Sequence, residues 1–499
     1  MNQSKLLLLA VFFSGAFLFL ANSTAQAGSA TWNLNPGSNN WNTATNWTPA
    51  TVPNGLSDVA TFQASNVTSV SLSSGVTLNG IDFQAGASAF TITSRSSFAS
   101  FLINGFGVRN DSGVEQTFVA DVQGHDQGEI SFAGSATAHN ATYISNGASV
   151  RGSFGGGSSF FNTSTAATAT FIADGGHADD AAGGGILFFD SSTAKSASFT
   201  INGGTVPGST GGHLEFVHTS TADHATLTAN GGTNGGGGGT IFFLDDSLGG
   251  RAKITLSGNG TLDLSSHNPS GVTIGALQGD GGLVLLGSSR LRVNNKPNVI
   301  FGGVISGNGR LEKGAGGNLD LTNGNSYTGG TNITGGTLLV DNATGSGTGT
   351  GPVRVKSGAL GGDGTIAGPL MVGTGSGSGA FLSPGKAQNT AVFTLLNSLT
   401  FNADGSYRCG LNSDTASSDE VFVSGVTINS GARFLSADAG SSALTPGLVL
   451  TVINNTAATP IAGTFANLSD GSKLVIGNNS YQADYEGNDG NDLTLTVVP

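Results

Sequence analysis

The chain is 499 residues long, with 82 Gly, 29 Phe, one Cys and only 10% charged residues. Its 18 basic and 31 acidic residues leave a net charge of −13, and no Lys/Arg cluster offsets it, so nucleic acid and anionic lipid are poor partners. The lone Cys409 excludes an internal disulfide, and the many Phe set in alternating patterns argue against disorder, so a packed core must carry stability.

Residues 1–27 read as a secretory signal. Lys5 supplies the basic start, Leu6 to Leu20 the apolar run, and Ala25-Gln26-Ala27 the small-x-small cleavage site. An apolar run of 15 residues falls short of the roughly 20 needed to span a bilayer, so the cleaved chain is not expected to be an integral membrane protein. Export places it in the extracellular space or on the outer cell surface, with the periplasm as the alternative. Residues 28–129 are read as an N-terminal cap followed by the first coils. This segment holds Trp32, Trp41 and Trp47, which either cover the open core of the first coil or form an aromatic platform for a glycan. Beyond residue 63 the alternation is less regular, as in Val76, Leu78, Ile81 and Phe83.

Residues 130–270 carry a 28-residue repeat. Phe132, Phe160, Phe188 and Phe216 keep that step, and Phe243 follows after 27. Tyr143, Phe171, Phe199, Leu227 and Ile254 form a second column, and Gly147, Gly175, Gly203 and Gly231 a third. Within one unit, Ile186 and Phe188 alternate with their neighbours, as do Ala197, Phe199 and Ile201 after the break at Ser192-Thr193-Ala194. Period-2 alternation bounded by Gly and Asn marks half-buried strands, two per repeat, and the Asn-Gly and Asp-Gly steps are read as positive-φ turns. A propeller blade needs roughly 40 to 50 residues, so a 28-residue unit fits a parallel β-helix instead. The fold class is therefore all-β, a parallel β-solenoid, right-handed by the crossover rule, with a Trp-rich N-terminal cap and a β-rich C-terminal cap.

From 271 to 382 the rhythm changes to short strands split by Gly pairs, as at Gly302-Gly303, Gly329-Gly330 and Gly335-Gly336, and the Gly/Thr-rich stretch 344–351 reads as a flexible loop. The run from Asn325 to Val340 resembles the autotransporter-associated β-strand repeat of bacterial secreted proteins. Leu382-Ser383-Pro384-Gly385, Ile461 to Phe465, and Tyr481 through Leu495 resemble segments that follow such repeats, so 383–499 is read as a passenger-like β module. The resemblance implies an exported right-handed β-helix, displayed at the surface or released, and it implies no catalytic residues. Passengers of this type continue into a membrane β-barrel of roughly 12 strands. None follows Leu493 to Val498, so the expectation is export by another apparatus or retention in the periplasm.

Candidate chemistry is sparse. Asp179-Asp180, Asp245-Asp246 and Asp419-Glu420 are the adjacent acid pairs, and a glycosidase needs two carboxylates about 5 to 9 Å apart across one bond. Asp245 is in phase with Asn162, Asp190 and His218, a column read as an exposed strand end where any polar residue serves. His125, His139, His177, His213, His218, His224 and His267 fall at different phases and build no zinc set of three or four ligands. Gly487 to Asp492 reads as a hairpin turn, with an isolated calcium turn as the alternative. No catalytic residue, metal or cofactor is expected. The reading is a non-enzymatic secreted or surface β-helix, structural or adhesin-like, with surface glycans or other cells as partners. The alternative is a carbohydrate-active β-helix enzyme or a carbohydrate-binding protein, with Trp32, Trp41 and Trp47 as the glycan contacts.

Overall fold

Phe132, Phe160, Phe188, Phe216 and Phe243 stand in register on successive parallel strands, fully buried, with ring centroids 4.5–5.1 Å apart. That spacing is the hydrogen-bonding distance between neighbouring strands, so one ring lands on the next wherever the residue recurs once per coil. The structure is a computed structural model that describes residues 28–294, 296–377, 379–385 and 390–499. The secretory-signal reading of 1–27 lies outside the described residues.

Each 28-residue coil holds two short strands, as in Gly185–Phe188 and Ser198–Ile201, and each pairs in parallel with its equivalents one coil away. Phe188 meets Phe199 across the core edge-on at 5.8 Å, so the two ladders interlock. A third ladder was not legible in the sequence. Thr137, Thr165, Thr193, Thr221 and Leu248 form single parallel bridges at the corner between the strands. Each of these threonines accepts a hydrogen bond at its hydroxyl from the backbone N–H two residues on, as Thr193 does from Lys195 at 3.2 Å.

Two glycine and turn readings are corrected. Gly147, Gly175, Gly203 and Gly231 do not adopt positive φ. They are glycine because of close approach: a Cβ at Gly175 would collide with the carbonyl of Gly203, and one at Gly147 with the carbonyl of Gly175. Within the repeat coils the left-handed positions are mostly not glycine. Asn162, Asp190, His218 and Asp245 lie at φ 52–58°. Their side chains accept bonds from the preceding coil, Asp190 from Asn162 N–H at 2.8 Å and Asp245 from His218 N–H at 3.2 Å. The column thus needs a short acceptor that tolerates left-handed backbone, which is a stricter demand than any polar residue.

Among the described residues the strands build sheets of 13, 9, 14 and 7 strands and a two-stranded ribbon, and the only helical pieces are the turns Ala44–Asn46 and Ser97–Ala99. The 13- and 9-stranded sheets carry the repeat coils; the 14-stranded sheet starts at Val272–Ile274 as the coils shorten. Thr240 pairs with Thr261 and Thr261 with Leu283, steps of 21 and 22 residues, because the return loop shrinks from 230–239 to 257–260. The Gly335-Gly336 pair lies inside one bulged strand, Thr331–Val340, rather than between two. Stretch 344–351 is no flap, since residues 346–349 are buried and Ser346 and Gly347 exchange backbone bonds with Asn325 and Thr365. The chain ends in antiparallel strands, with Asn479–Gly487 hairpinned to Asp492–Val498.

Candidate functional site

Trp32, Trp41 and Trp47 are each no more than 1% exposed. Their rings meet edge-on at 4.9 Å (Trp32–Trp47) and 4.8 Å (Trp41–Trp47) and pack on Phe62. The indole N–H groups donate to the carbonyls of Val67, Pro53 and Trp41. No indole face is open to a sugar ring.

The acid pairs are drawn into coil-to-coil bonds at separate corners. Asp179 pairs with Arg151 at 3.5 Å, Asp180 turns a return loop at positive φ, and Asp246 accepts from Asn268 at 2.9 Å. Asp419 is buried and accepts from the N–H groups of Gly410 and Ala391 at 2.7 and 2.9 Å, while Glu420 accepts from Asn454. Burial pushes the Asp419 carboxyl up to about 6 against the pull of those two N–H groups. Of the histidines, His267 is buried, with both ring nitrogens against carbonyl oxygens, His213 starts the strand His213–Phe216, and His125 and His177 bond to Ser153 and Thr205. At Gly487 to Asp492 the hairpin turn uses Asp492 to accept from Asn455 N–H and the Asn488 amide. One group of three carboxylates, Asp470, Asp484 and Glu486, was not singled out in the sequence. It sits on the closing module, and two of the three cap nearby backbone N–H groups.

The outward faces hold what remains. On the 9-stranded sheet Thr117, Thr142, Thr170, Ser198 and Thr226 form one outward column in register, and Val119, Ile144, Ile172, Thr200 and Thr228 the next. No strand residue of this face is charged until Lys253, although the Glu115 carboxylate accepts from the Thr142 hydroxyl at one end of the array. On the 13-stranded sheet the outward residues include Leu187 and Phe242, and Phe161 stacks on Phe189 at 5.1 Å. These were missed, although the unbroken runs Ile186-Leu187-Phe188-Phe189 and Ile241-Phe242-Phe243-Leu244 signal strands apolar on both faces. On the 14-stranded sheet a shallow depression of about 360 Å³ lies between Leu339 and Arg408.

Among the described residues no helix is long and apolar enough to cross a membrane. No family model matches the chain, and no curated protein matches it. Among solved structures it is similar to the Haemophilus influenzae Hap adhesin, at 10% identity and a TM-score of 0.32, over 88% of this chain and 63% of that one. The chain thus spans less than two thirds of the length of that adhesin structure.

Proposed function

We infer that the chain is an exported, surface-displayed β-solenoid of adhesin-like or structural role, a passenger-like rod that performs no catalysis. The observation that carries this is the outward array on the 9-stranded sheet, where one small hydroxyl residue recurs at each coil from Thr117 to Thr226. A contact too weak to hold alone gains strongly when repeated along a rigid support, because later contacts form at high effective concentration. The passenger-like motifs from Asn325 onward support export, and the commitment of Asp179, Asp245, Asp246, Asp419 and Glu420 to bonds within the fold supports a non-catalytic reading. Glycans or proteins on another cell are the partners proposed.

Two measurements on the full chain test it. Fractionation of cells expressing tagged protein is expected to recover it outside the inner membrane, and the purified chain is expected to coat target cells. Replacing Thr170 and Thr226 together by Glu sets two charges on the array without touching the core and should cut attachment severalfold at unchanged circular dichroism. Retention in the cytoplasm, or attachment indifferent to the double substitution, sinks the reading.

A further inference from the structure

We propose that the depression on the 14-stranded sheet is a binding site for a carboxylate-bearing saccharide, with Arg408 as its anion receptor. The depression exists because strand Val353–Gly362 turns Ala359 and Gly361 outward, between coils that carry larger residues at the same positions. Ala359 pairs with Thr337 on one side and Phe381 on the other; Gly361 pairs with Leu339 and Ser383. The floor is thus a methyl group and bare backbone, and the walls are Leu339 and Arg408.

Arg408 comes from the next coil, strand Gly405–Asn412, and leans back so that its guanidinium carbon lies 3.4 Å from the centroid of the Phe381 ring. Stacking occupies one face of the guanidinium and leaves its N–H edges free to donate. Among the described residues no carboxylate pairs with Arg408. What sets Arg408 apart is that its guanidinium is held in place by the Phe381 ring at the rim of a concavity. A guanidinium fork matches a carboxylate bidentately.

The other lining groups select a sugar over a bare anion. Asn318, Thr337 and Ser383 are polar groups spread around the apolar surface of Leu339 and Ala359. That is the split a pyranose ring needs, hydroxyls at the edge and C–H groups on the face. About 360 Å³ is at the lower end of ligand sites and suits one or two sugar rings. The net charge of −13 opposes an acidic ligand at long range, but at physiological ionic strength that field is screened beyond roughly 8 Å, so the local Arg408 contact decides. The site stands apart from the array on the 9-stranded sheet, and the two proposals fail separately.

The test is calorimetric titration of the full chain with oligomers of galacturonic acid, and with the same oligomers methyl-esterified. The acid form is expected to bind at least about tenfold more tightly than the ester, the ratio that one charge-assisted bidentate contact supplies. Arg408→Gln should lose that preference. Ala359→Leu fills the floor from the solvent side and should weaken binding about as much, with circular dichroism unchanged. If Arg408→Gln disturbs the fold through the lost stack, Ala359→Leu alone decides. Equal binding of acid and ester, absence of saturable binding, or an Ala359→Leu chain that binds as the parent does overturns the proposal. A short peptide with a free C-terminal carboxylate that binds as tightly overturns the saccharide assignment.

Discussion

Gly175 shows how strongly one atom matters in a stacked coil. It lacks positive φ, so alanine there meets no backbone strain, and by the unfolded-state argument the change should help slightly. Instead the added Cβ collides with the backbone of Gly203 in the next coil, and backbone cannot swing aside as a flexible side chain would. Gly175→Ala is therefore expected to lower stability by about 1–3 kcal/mol in urea denaturation. A neutral or stabilising result would return the column to ordinary turn chemistry. The buried serine column makes the opposite kind of test. Ser192 donates to the carbonyl of Phe189 at 2.6 Å, whereas the equivalent hydroxyl of Ser220 has no partner among the described residues. Ser192→Ala should cost about 1 kcal/mol and Ser220→Ala close to nothing, because removing an unpaired buried polar group forfeits no bond. Equal losses at the two positions contradict the assignment. Asp419 brings pH into stability. Its carboxyl is raised to about 6 in the folded chain, so the proton is held more tightly there than in the unfolded chain. The stability it contributes is full below about pH 4, is lost as pH rises through about 6, and amounts to on the order of 2 kcal/mol. The denaturation midpoint should fall between pH 4 and pH 7, and Asp419→Asn should flatten that fall. An unchanged slope in the variant removes Asp419 as its source.

At the scale of the element, the strand Gly185–Phe188 carries both what the sequence announced and what it concealed. The period-2 pattern put Phe188 inward, and the ring is buried between Phe160 and Phe216 at 4.5 and 5.1 Å. Phe188→Asp replaces two stacked contacts with a charge that has no partner, and several kcal/mol of destabilisation follow. Unfolding near ordinary denaturant concentrations would refute the inward placement. The parallel ladder and its register were legible because apolar identity repeats at a constant step. The outward Leu187 was legible only as an unbroken apolar run, and alternation alone treats such a residue as incidental. The depression was not legible at all. Leu339, Gly361 and Ser383 lie 22 residues apart, but Arg408 follows Ser383 by 25, so no fixed period aligns the column. Its floor, moreover, is defined by what Ala359 and Gly361 lack. The three-way cage of Lys313, whose ammonium donates to the carbonyls of Gly314 and Ala315 at 2.8 and 3.1 Å and reaches that of Gly335 at 3.5 Å, was hidden likewise. It depends on a bulge in the neighbouring strand that no local pattern reports.

For the whole molecule, stability passes from coil to coil, and the chain need not melt as one unit. The 28-residue coils rest on two aromatic ladders, Phe132 to Phe243 and Phe118 to Phe199, whose rings stack on the coils before and after and meet each other within a coil. The coils that follow Thr261 are shorter, shift their pairing to the 14-stranded sheet and use aliphatic columns such as Val272, Leu291 and Leu311. In a stack with nearest-neighbour coupling, a defect raises the free energy of its own coil and of the two interfaces it touches, then fades. A single cooperative domain would instead spread the loss evenly. Native-state hydrogen exchange on the Phe188→Asp chain separates the two. Amide protection should collapse in Gly157–Phe160, Gly185–Phe188 and His213–Phe216, weaken in the facing strands Thr170–Ala173 and Ser198–Ile201, and remain at parental values in Leu399–Phe401 and Val426–Ile428. Uniform loss of protection along the chain would mean that the coils fold and fail together, and a rod able to keep displaying its distal faces after local damage would no longer describe this protein.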